Sequence, residues 1–125
     1  MKPEAIYSSD DVCDIVGISY RQLDWWLRTG VIDACQPGHG SGSRRRFSRA
    51  DLSDITLVDA VRKWVWSPHR AAQLISEMGP DAIRPGGQIT VHTDGPMALI
   101  VDIDELERLL DERISAAFPE ERATA

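Results

Sequence analysis

The sequence predicts a mainly α-helical chain with a small β component, and three observations carry that reading. Helix-capping boxes recur ahead of apolar segments, the apolar residues behind them are spaced three and four apart, and short apolar runs flank glycine-rich loops. With 42% hydrophobic and 27% charged side chains, the 125 residues suit one compact unit with a small appendage and exclude a large multidomain enzyme. An apolar fraction near the globular average, with four tryptophans, predicts that most of the chain buries a core. The longest apolar run, Met97 to Val101, is far below the ~20 residues a membrane span needs, and no signal-like stretch follows the start, so a cytoplasmic location is expected.

Taken in order, Ser8-Ser9-Asp10-Asp11 has the Ser-x-x-Asp form of a capping box, and Gly17 suits the residue that closes a short helix. Ser19 and Gln22 begin a second box, opening a helix that Gly30 stops, with Leu23, Trp26 and Leu27 on one face. Two short helices joined by a tight glycine-containing turn are the signature of a helix-turn-helix. Val31-Ile32 and Arg44 to Phe47 flank a Gly, Ser and Pro loop from Asp33 to Ser43, which predicts two short strands and a flexible tip, a candidate wing. Ser48 to Asp51 is a third box, and Leu52, Ile55, Val58 and Val61 follow at threefold spacing in a core helix ending near Val65. Ser67-Pro68 restarts the chain as N-cap and first-turn proline, with Leu74, Ile75 and Met78 inward and Gly79 as the stop. After Pro85-Gly86-Gly87, Ile89, Val91 and Leu99 to Val101 predict a hairpin about Asp94-Gly95, and Asp102 caps a last helix reaching Phe118. The final seven residues are expected to fray. The predicted architecture is a winged helix-turn-helix with two further helices over 1–78, then a linker, a C-terminal β-hairpin and a helix over 79–125.

The net charge of −6 is unevenly spread. Residues 1–78 carry ten Lys/Arg against ten Asp/Glu, whereas 79–125 carry four against ten, so the acid sits in the tail. No carboxylate lies between Asp33 and Asp51, and that window holds Arg44, Arg45, Arg46 and Arg49, a local basic patch on an acidic protein. Consecutive cations on a strand alternate sides and repel one another, so at least two must face an external anion.

Order and spacing over residues 6–78 resemble the DNA-binding domain of MerR-type transcription regulators. The resemblance rests on Val16-Gly17-Ile18-Ser19 at the turn, Leu23-Asp24-Trp25-Trp26 where the family favours Leu-Arg-Tyr-Tyr, Gly30-Val31 after the second helix, and Arg45-Arg46-Phe47-Ser48-Arg49-Ala50-Asp51-Leu52 where it favours Arg-Leu-Tyr-Ser-x-x-Asp-Leu. Asp24 departs from the pattern, because the family carries a phosphate-binding Arg there and a carboxylate repels the backbone, so that contact is not carried over.

The resemblance makes the second helix the recognition element, its first residues meeting base edges in the major groove. Ser19, Tyr20, Arg21 and Gln22 stand there, with Arg suited to guanine, Gln to adenine and Tyr to a phosphate or a thymine methyl. Trp25 and Arg28 follow on that helix, Trp26 being assigned to the core. Arg44, Arg45, Arg46 and Arg49 are the expected phosphate contacts of the wing, whose Gly38, Gly40 and Gly42 permit close approach, and His69 and Arg70 are a secondary phosphate site.

Metal and catalytic chemistry find little footing. Cys13 and Cys35 are too few for a disulfide framework, and Cys35-x-x-x-His39 has no second ligand pair, His92 lying far along the chain. There is no nucleophile elbow, phosphate loop or His-Glu-x-x-His motif, so neither enzyme activity nor a cofactor or metal is expected.

The function expected is sequence-specific binding of double-stranded DNA by a small homodimeric transcription regulator of bacterial or phage type, associated with the nucleoid. The segment after Gly79 is too short for a large effector-binding domain. Its dimer interface is expected in the C-terminal segment, where Ile103, Leu106, Leu110 and Ile114 form a stripe that must be buried. Folding back onto the N-terminal part is the alternative. Two other functions fit the same residues: an excisionase-like architectural factor that bends DNA, and a protein-interaction module in which the acidic C-terminal segment binds a protein partner.

Overall fold

The computed structural model describes residues 5–34, 45–77, 87–93 and 95–118. Strand β1 (Ala5–Tyr7) leads into helix α1 (Ser9–Val12), which widens into a π-helical turn, Cys13–Gly17. The Ser8 box forms as expected: Ser8 N–H donates to Asp11 Oδ2 at 2.9 Å, and Ser8 Oγ accepts from Asp11 N–H at 3.2 Å. Gly17 closes the turn at φ 86°, where a Cβ is disfavoured. Helix α2 (Tyr20–Arg28) starts at the Ser19 box, in which Gln22 N–H donates to Ser19 Oγ at 3.1 Å.

Val31 and Ile32 are not a strand, contrary to the sequence expectation. Their backbone N–H groups both donate to Trp26 O, at 2.9 and 3.4 Å, closing the end of α2. Donors used in this way cannot enter a ladder, and both side chains are buried in the core. The strand before the third capping box, β2 (Phe47–Ser48), pairs instead with β1, Tyr7 opposite Phe47 and Ala5 opposite Ser48, antiparallel. The tip of the expected wing, with Cys35, the three glycines, His39 and Arg44, lies outside the described residues, as do Met78, Gly79, Asp94 and the last seven residues.

Helix α3 (Arg49–Val65) rises from the Ser48/Asp51 box and ends at Trp66, which takes the left-handed conformation at φ 63°. Helix α4 (Pro68–Glu77) packs back on α3 through Ala71 and Leu74. Strands β3 (Gln88–His92) and β4 (Ala98–Asp102) form the expected hairpin, Thr90 opposite Ile100, and helix α5 (Ile103–Ala117) follows directly with Asp102 as its N-cap.

One buried cluster runs through the chain, from Val12, Ile15, Leu23 and Trp26 through Phe47, Leu52, Ile55 and Val61 to Val91, Ile103 and Leu110. The boundary drawn between 78 and 79 therefore does not divide the core. Helix α5 lies on the π turn and on α3, so the stripe expected between two copies is covered by its own chain: Ile103 and Leu110 are buried, and Leu106 and Ile114 are half-buried against the same cluster. A hairpin and one amphipathic helix cannot cover themselves, and the nearest apolar surface is intramolecular, at high effective concentration. Of the four tryptophans only Trp26 joins the core; Trp25 is 57%, Trp64 72% and Trp66 90% exposed.

Candidate nucleic-acid interface

The Ser19 box fixes the start of α2 and, with it, which side chains face out. Leu23 and Trp26 anchor the inner face, and Arg62 lies over the Trp26 ring at 5.3 Å, held from behind by Asp59 at 2.8 Å. Turned outward are Tyr20, Arg21, Trp25 and Arg28, all exposed, with half-buried Asp24 between them. Arg21, Asp24, Trp25 and Arg28 follow the three- and four-residue spacing of one helical stripe. Arg21 makes no ion pair among the described residues.

Asp24 is the centre of this face. Its Oδ2 accepts from Arg28 Nε at 2.7 Å and its Oδ1 from Arg45 Nη1 at 2.8 Å, joining the recognition-type helix to the segment that enters β2. The hydrogen bond from Arg45, then that from Arg28 and both cationic charges, outweigh desolvation and hold the Asp24 carboxyl below its ordinary value of 3.8. Arg45 is the more enclosed arginine, its side chain 12% exposed, whereas Arg28 is open to solvent. Arg46 is exposed and donates to Arg45 O at 3.2 Å.

Not every expected contact belongs to this surface. Arg49, expected at a phosphate, turns to α5, where its guanidinium bonds Glu107 at 2.5 Å and Asp111 at 2.9 Å, so it ties the last helix to α3. Gln22 is half-buried and its Oε1 already accepts from Ser19 N–H at 3.0 Å, so the bidentate adenine contact expected of it would break the capping box. At α4, Ser67 Oγ takes the Arg70 N–H at 3.1 Å, capping the terminus expected to receive a phosphate; His69 is exposed beside it. Helical spacing makes Arg28 an evident partner for Asp24, but Arg45 is 21 positions away and reaches Asp24 only through the fold, so the sequence does not show it. Nor does it show Arg62, for the same reason. Cys13 is half-buried, and burial, with Asp10 and Asp14 nearby, pushes its thiol up. Among the described residues no three His, Cys, Asp or Glu side chains gather where they could hold a metal ion, and no helix is long and apolar enough to cross a membrane.

Residues 6–55, from β1 through the first part of α3, match the family model of the helix-turn-helix domain. Over 90 residues the chain is 31% identical to an HTH-type transcriptional regulator of Mycobacterium bovis and, equally, to two from strains of Mycobacterium tuberculosis. That stretch covers 71% of this chain but 40% of each relative, so the chain spans well under half of their length. A capped turn, a second helix with an outward basic stripe and these matches agree: residues 6–55 match a helix-turn-helix domain, and over 90 residues the chain is similar to HTH-type transcriptional regulators.

Proposed function

We propose that the chain is a small transcription regulator of MerR type that binds double-stranded DNA sequence-specifically, as a homodimer, with α2 in the major groove. The observation that carries this reading is the outward face of α2, where Arg21, Trp25 and Arg28 stand beside Arg45 and Arg46 on a protein whose net charge is −6. Cations concentrated on one face of an acidic molecule fit a polyanion approaching from that side. In this reading Tyr20 and Arg21 reach base edges, Ser19 and Gln22 rigidify the helix start, and Arg28, Arg45 and Arg46, with Arg44 from the wing, contact phosphate. Dimerisation follows from economy of recognition, since one short helix reads few base pairs and two half-sites multiply the specificity.

An excisionase-like architectural role fits the same matched domain, residues 6–55. Selection of bound sequences from random duplexes, followed by footprinting, separates the two. A palindromic site supports the dimeric regulator, and tandem direct repeats support the architectural factor. No enrichment of any sequence over the input pool would overturn sequence-specific binding and favour the protein-interaction reading.

A further inference from the structure

We infer that the free edge of β4 is where two copies of this chain join, as antiparallel strands about a dyad at Ile100. This gives an interface to the dimer proposed above and rests on that reading for its purpose, though not for its geometry. A groove of about 440 Å³ runs between α3, β4 and α5, walled by Trp64 on one side and by Leu106 and Leu109 on the other. Its remaining wall is strand β4, which contributes Leu99, Ile100, Val101 and Asp102 in succession. Successive residues point to opposite faces of a strand, so a groove touched by all of them is touching the strand's edge.

The register says which backbone groups that edge presents. Thr93 N–H donates to Met97 O at 3.3 Å and Ile103 N–H donates to Gly87 O, so the hydrogen-bonded pairs of the hairpin include Leu99 with Val91 and Val101 with Ile89. Ala98 and Ile100 then turn their N–H and C=O groups away from β3, and Asp102 its N–H. The sheet has two strands, and β4 has no neighbour on its far side among the described residues. Ile100 is 71% exposed and Trp64 72%. An unpaired, apolar strand edge set in an apolar groove fits another strand.

A second β4 meets the chemistry of that edge. Centred on Ile100, an antiparallel copy exchanges Ile100 N–H and C=O reciprocally, and each Asp102 N–H meets the Ala98 carbonyl of the second copy. On the inner face Leu99 falls opposite Val101, and on the outer face Ile100 falls opposite itself, both favourable cross-strand pairs. Asp102 falls opposite Ala98, so no like charges meet across the ladder. The groove lining carries both signs, Asp59, Asp102 and Glu105 with Lys63 and Arg113, and Lys63 and Glu105 already hold partners in their own chain, so the contact asks for a strand whose edge matches in backbone groups and apolar side chains, as a second β4 does, and not for a segment of one charge.

Sedimentation velocity of the full chain without DNA tests the interface. The wild type should shift from monomer to dimer in a concentration series reaching the millimolar range. Ile100→Arg, with an unchanged circular dichroism spectrum, should stay monomeric throughout while still binding a half-site duplex. If the arginine variant does not fold, Ile100→Thr, which keeps a strand-forming side chain, should weaken dimerisation by at least about tenfold. A wild type that is monomeric at every concentration, a persistent Ile100→Arg dimer, or an Ile100→Thr dimer of undiminished strength overturns the proposal, and none of these results bears on whether α2 binds DNA.

Discussion

Asp24 brings two cations together and at the same time subtracts one charge from the face that holds them. Removing that charge without shortening the side chain, Asp24→Asn, should tighten nonspecific duplex binding and steepen the log-log salt dependence by about 0.9 if one further phosphate is engaged. Fluorescence anisotropy at several salt concentrations measures it, and an unchanged slope refutes the role given to Asp24. Its lowered pKa has a stated pH direction: the two ion pairs stabilise the fold above the ordinary carboxylate value of 3.8 and are lost as pH falls through the depressed one. Asp54 behaves in the opposite sense. Burial, and then repulsion from Asp51, Glu107 and Asp33, raise its pKa, so its ionised form weakens the fold. Asp54→Asn should raise the melting temperature at pH 7, and the gain should vanish under acidic conditions where wild-type Asp54 is protonated. Side chains that act within three or four positions, such as Ser8, Ser19 and Ser48, were legible in the sequence because their partners are local. The Arg45 and Arg49 partners were not, because they depend on how helices pack.

The elements themselves follow from short-range chemistry, and their sequence signals are correspondingly clear. Three capping boxes sit where the hydroxyl and acid or amide spacing put them. Ser19→Ala should cost about 1 kcal/mol by removing the acceptor for the Gln22 N–H, measured by chemical denaturation, and should lower DNA affinity further because it loosens the helix start. A stability loss with wild-type affinity would show that the start of α2 does not touch DNA. Gly87 is less obvious from sequence: φ is 68° and a Cβ there would collide with the Asp104 carboxylate, so Gly87→Ala should disturb the junction of β3 and α5. Val31-Ile32 shows where local reasoning fails. Two β-branched residues beside a turn look like a strand, but the end of α2 needs their N–H groups first.

At the scale of the whole molecule, α5 belongs to the same core as the helix-turn-helix. Leu110 is 1% exposed, and Leu110→Ala should destabilise the entire chain by about 2–5 kcal/mol in a single cooperative transition. A separate, low-stability transition for residues 87–118 would instead restore the two-domain division. The sequence displayed the apolar stripe of α5 but not its destination, since periodicity marks a face as buried without saying against what. Charge is divided across the molecule: Glu107 and Asp111 neutralise Arg49 on the α5 side, whereas beside α2 the single carboxylate of Asp24 serves both Arg28 and Arg45, leaving an excess of cations there. Amide chemical-shift mapping with a selected duplex tests that division most directly. The account predicts that the large shifts fall on Tyr20, Arg21, Asp24, Trp25, Arg28, Arg45 and Arg46, with α5 unchanged. Shifts concentrated on α5, or none at low salt, would contradict it.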